Sequence, residues 1–113
     1  MVPGRLNLIC PQGSTFARTL TYKINDIPVN LTGYSARMQV RPFHYSYDTI
    51  ASLTSSAGIT LGGSAGTINI LMEPSSTVEF PSGDYVYDLE LYTSSNVYRL
   101  VEGKFVVTAE VTR

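Results

Sequence analysis

Residues 84–107 read DYVYDLELYTSSNVYRLVEGKFVV, and this stretch decides the fold class. Tyr85, Tyr87, Leu89 and Leu91 alternate with Val86, Asp88, Glu90 and Tyr92, the two-residue period of a half-buried strand. Beyond the turn residues Ser94 and Ser95, Tyr98 and Leu100 alternate with Val97, Arg99 and Val101. Like faces must oppose each other in a hairpin, because a one-residue slip turns every side chain over. The expected register sets Leu91 opposite Tyr98, Leu89 opposite Leu100, and Glu90 opposite Arg99 as a cross-strand ion pair. The segment predicts an antiparallel β protein and carries no chemistry of its own.

Working back toward the N-terminus, the same period recurs. The cleanest alternation is in residues 33–41, with Tyr34, Ala36, Met38 and Val40 inward and Ser35, Arg37, Gln39 and Arg41 outward. Residues 15–24 place Phe16, Leu20, Tyr22 and Ile24 on one face, interrupted by Arg18, and Asn25, Asp26 and Pro28 make the next turn. Residues 5–9 form a short first strand closed by Pro11 and Gly13, with Cys10 as an apolar residue at its end. Weaker strand patterns cover residues 49–54 and 58–61. Gly62, Gly63 and Gly66 allow a hairpin into residues 67–72, and a last strand is expected at 104–111.

One helical turn is expected at 75–80, because Ser76 with Glu79 three residues on has the form of a capping box. Roughly seven to nine short strands, with turns about every ten residues, predict a single all-β domain over residues 1–113. An antiparallel immunoglobulin-like β-sandwich is the expected form, and a closed barrel is the alternative.

Composition narrows the function classes. The 113 residues carry a net charge of −1, and only 15% are charged against the usual quarter. Such a chain has no long-range field to draw nucleic acid or an anionic membrane, so neither is expected as a partner. The lone Cys10 excludes an intrachain disulfide. The start MVPGRLNLIC lacks a long apolar region and has bulky Ile9 before Cys10, so no export signal is expected, and no apolar run has the length of a membrane span.

The search for catalytic chemistry returns little. His44 lies in FHYSYD beside Tyr45, Tyr47 and Asp48, but the chain has no second histidine to build a triad or a metal set with it. The glycines of GITLGGSAGTI are followed by neither a lysine nor a helix, so they are turn formers and not a phosphate cradle. Asn30-Leu31-Thr32 matches a three-residue glycosylation acceptor. No catalytic residue, metal or cofactor is expected. Tyr22, Tyr34, Tyr85, Tyr87 and Tyr98 fall on apolar faces, whereas Phe43, His44, Tyr45 and Tyr47 occupy a loop after Pro42 and Tyr92 has outward parity. These last five are the candidate partner-binding residues, since exposed aromatics suit protein interfaces or stacking on sugars.

Three stretches read together carry a resemblance: NLTGYSARMQVR at 30–41, GITLGGSAGTINI at 58–70 and GDYVYDLELYTSSNVYRLVEGKFVV at 83–107. They resemble a family of small phage-encoded virion proteins of the tail and baseplate region, similar to the immunoglobulin-like N-terminal domain of baseplate upper proteins. The resemblance implies a tail, baseplate or fibre-attachment adaptor that assembles in the bacterial cytoplasm. Its partners would be other virion structural proteins and copies of itself, arranged as a symmetric homo-oligomer. It carries over no active-site residue. RPFHYSYDTIASL at 41–53 is longer and more aromatic than the corresponding loop would be. A capsid decoration protein and a carbohydrate-binding module stacking sugars on Phe43, Tyr45, Tyr47 and Tyr92 are the alternative readings.

Overall fold

A computed structural model describes residues 3–112. The strands are β1 (Gly4–Arg5), β2 (Leu8–Pro11), β3 (Phe16–Thr21), β4 (Lys23–Ile24), β5 (Ile27–Pro28), β6 (Ser35–Arg41), β7 (Ala51–Thr54), β8 (Ile59–Leu61), β9 (Thr67–Met72), β10 (Gly83–Tyr92) and β11 (Val97–Thr108). One short helix, α1 (Pro74–Thr77), links β9 to β10. The larger sheet has the order β1-β11-β10-β6-β7, with β2 also paired to β11, and the smaller sheet has the order β3-β9-β8. Both sheets turn an apolar face inward, giving an all-β sandwich with its core between them. Phe16 of the smaller sheet meets Phe105 of the larger at 5.4 Å between ring centres, and Tyr87 meets the same ring at 6.4 Å.

The alternation of β6 holds as expected, with Ala36, Met38 and Val40 sealed in the core. The N-terminal segment runs parallel to β11, and pairing Gly4 with Val101 and Leu8 with Phe105 keeps one register across a break at Leu6 and Asn7. Cys10 is buried there. Burial pushes its thiol pKa up, against the opposing pull of the Arg18 guanidinium. Arg18, which interrupts the apolar row of β3, lies 4.5 Å over the Phe16 ring and donates to the Ile9 carbonyl at 2.9 Å, closing the seam between the sheets.

Four local expectations are corrected. The hairpin register holds at Leu91–Tyr98 and Glu90–Arg99, but a bulge makes Leu100 an extra residue and sets Leu89 opposite Val101. Val101 therefore points inward with Phe105 and Val107, and β11 runs unbroken to Thr108 where a separate last strand was expected. The helical turn expected at 75–80 spans Pro74–Thr77, and the Ser76–Glu79 capping box does not form: Glu73 is the N-cap, no side chain caps it, and Pro74 supplies a preset φ at the first helical position. Ile24 leaves the core face, because Asn25 (φ 52°) and Asp26 (φ 64°) form a tight hairpin that carries β4 and β5 away from the sandwich.

Candidate functional site

The loop after β6 is held at its base and open at its tip. Ile50 donates its backbone N–H to the Val40 carbonyl at 2.9 Å, bringing the two ends together. Arg41, the last residue of β6, donates from Nη1 to the Ser46 carbonyl at 2.7 Å and from Nη2 to Gln39 Oε1 at 2.7 Å. The Ser46 N–H bonds back to Phe43 O at 3.1 Å, and Ser46 Oγ accepts the Asp48 N–H at 3.1 Å. These bonds occupy the loop's backbone and leave its rings outside. Phe43 and Tyr45 pack against each other at 4.8 Å between ring centres; Tyr45 is 85% exposed and Tyr47 fully so. Rings this bare on a pinned loop are ready to be covered at little further entropic cost.

His44 turns from the loop toward the outer face of the larger sheet, where a polar groove of about 380 Å³ also takes in Gln39, Arg41, Asp88 and Arg99. That face carries a ladder of ion pairs: Arg37–Glu90 at 2.8 Å, Arg99–Asp88 at 3.3 Å, Arg99–Glu102 at 3.7 Å and Arg5–Glu102 at 3.2 Å. The expected Glu90–Arg99 pair is thus replaced. Glu90 lies between two arginines and takes Arg37 of β6, while the bulge beside Arg99 leaves it leaning on Asp88 and Glu102. Burial, seconded by the neighbouring Glu90, pushes the Asp88 carboxyl up, with Arg99 opposing. The groups pair with one another, and each exposed pair of this kind contributes only tenths of a kcal/mol.

Tyr92 stands apart from the other candidates. The register pairs Val86 with Arg41 and Tyr92 with Ser35, so Tyr92 lies six residues, about 20 Å, from the root of the loop. Its ring is stacked under the Arg37 guanidinium at 4.7 Å. The structure therefore groups Phe43, His44, Tyr45 and Tyr47 and leaves Tyr92 outside any common surface with them.

A second feature escaped sequence reasoning. Between β3 and the β1–β11 edge of the larger sheet, Leu20, Tyr22, Ile24, Ile68 and Leu100 line an apolar groove of about 570 Å³. Ile24 is 55% exposed there, and Ile27 in the same hairpin is 67% exposed. The Asn25-Asp26 pair was the available signal, because such a turn lifts its flanking residues off the core face.

Among the described residues, no group of three or more His, Cys, Asp or Glu side chains is arranged to hold a metal ion, and no helix is long and apolar enough to cross a membrane. No protein-family model matches the chain, and no match was found among curated proteins.

Proposed function

We propose that this chain is a structural protein of a phage particle, an adaptor in the tail, baseplate or fibre attachment that acts by symmetric assembly and not by catalysis. It would be made in the bacterial cytoplasm and end in the virion beside other structural proteins. The resemblance of residues 30–41, 58–70 and 83–107 supplies the setting. The observation that carries an assembly role is the Arg41-clamped loop, which holds Phe43, Tyr45 and Tyr47 bare on a rigid sandwich. Capsid decoration uses the same surface and differs in copy number. The sugar-binding reading keeps the Phe43–Tyr45 pair as a stacking face but loses Tyr92, which lies at the other end of the sheet.

Quantitative mass spectrometry of purified particles, against a known capsid subunit, tests the proposal. A small multiple of three or six, roughly a dozen copies, is expected for a tail or baseplate ring. Hundreds of copies would favour decoration, and absence from particles would refute the virion role. The same measurement on the triple variant Phe43→Ala, Tyr45→Ala, Tyr47→Ala should find a folded chain that fails to enter particles.

A further inference from the structure

We infer that copies of this chain bind head to tail, the Phe43–Tyr47 loop of one copy seating in the apolar groove beside Tyr22, Ile24 and Leu100 of the next. This rests on the assembly reading above and names the neighbour it left open. The molecule measures 42 × 27 × 24 Å, and the 12-residue β11, about 40 Å in length, matches the long dimension. The loop leaves the sheet at Arg41, whereas Tyr22 and Ile24 lie with Tyr34 and Leu91 near the Ser35 end of β6, and Leu100 is the bulge residue level with the middle of that strand. Knob and socket are thus two different surfaces of one elongated body.

Size, area and charge agree with this pairing. The groove's 570 Å³ is open to solvent and has room for an aromatic ring. At 48%, 85% and 100% exposure, Phe43, Tyr45 and Tyr47 offer on the order of 400–500 Å² of aromatic surface. Seated in the groove of a neighbouring copy, these rings would lose much of that surface to water-free contact. Lys23 lines the groove and Asp48 closes the loop, and neither has an ion-pair partner among the described residues. Seating the loop brings these opposite charges to one rim. A single contact of this area is weak, but the two surfaces differ, so the contact repeats from copy to copy and a closed ring gains by multivalency.

Sedimentation velocity of three full-length proteins tests the inference. Wild type should associate with rising concentration and pass beyond dimer. The knob variant (Phe43→Ala, Tyr45→Ala, Tyr47→Ala) and a groove variant (Lys23→Glu, Ile24→Glu) should each be monomeric. Mixed in equal amounts they should form a 1:1 dimer and nothing larger, because one intact knob and one intact groove remain between them. A mixture that stays monomeric, a knob variant that still dimerises, or a wild type monomeric at hundreds of micromolar overturns the inference. The last result would give the groove to a different partner. Should the groove variant fail to fold, the knob variant added to wild type must shorten its assemblies by capping them, and unchanged assemblies overturn the inference. A chain present in particles yet monomeric in solution refutes this contact alone, while association by a chain absent from particles refutes only the virion reading.

Discussion

Tyr87 joins the core to the N-terminal segment through one hydroxyl. Its O–H donates to the Leu6 carbonyl at 2.6 Å, where the N-terminal strand is broken and that carbonyl has left the ladder. Replacing it by Phe leaves the carbonyl without this donor and should lower stability at pH 7 by about 1–2 kcal/mol. Burial pushes the phenol from 10.0 up to about 12. A raised folded-state value means that the stability held below pH 10 is lost as pH climbs through 12, because the unfolded chain ionises first. Tyr87→Phe has no such group, so its deficit should shrink between pH 10 and 12. Urea melts of both proteins at pH 7 and pH 11 check this, and an equal gap at the two values would refute it.

The elements differ in how much of their structure was legible in the sequence. In β6 the alternation is strict, so one register alone buries Ala36, Met38 and Val40 and the inward face could be read directly. In β11 Leu100 and Val101 are both apolar, so the pattern is equally satisfied by either facing inward, and only pairing with β10 selects the bulge. The aromatic loop was legible because Pro42 ends a clean strand before it, whereas the groove needs β3, β11 and the β4–β5 hairpin to meet, and of these only the Asn25-Asp26 turn is marked locally. The parallel addition of β1 and β2 to β11 was hidden for the same reason, and its closest point is Gly103. A Cβ there would fall on the Leu6 carbonyl, while Asn7 Oδ1 accepts the Lys104 N–H at 3.1 Å alongside. Gly103→Ala must therefore push the N-terminal strand outward, at a cost of about 1–3 kcal/mol. Hydrogen exchange should quicken at residues 8–11 and stay unchanged in β6. Protection equal to wild type across β2 would mean that the close approach does not hold the strand.

At the scale of the molecule, the two sheets depend on each other. The smaller one has only three strands, its apolar face is buried against the larger sheet, and Phe16 is the ring through which it meets Phe105. Truncating a buried Phe to Ala costs about 3–5 kcal/mol, a large part of the 5–15 kcal/mol that holds a domain of this size. Cys10 offers an internal reporter of whether that loss is shared. It sits on the larger sheet, paired with Val107, fully buried and with its thiol held up by burial, so the folded protein should react slowly with thiol reagents. If the sandwich unfolds as one unit, Phe16→Ala should lower the circular-dichroism midpoint and expose Cys10 over the same range of denaturant. If instead the dichroism midpoint falls while Cys10 stays protected, the larger sheet stands alone and the smaller is an appendage. Head-to-tail assembly through the loop and the groove requires the first behaviour, because only a cooperative sandwich fixes the angle between the two surfaces and so between successive copies.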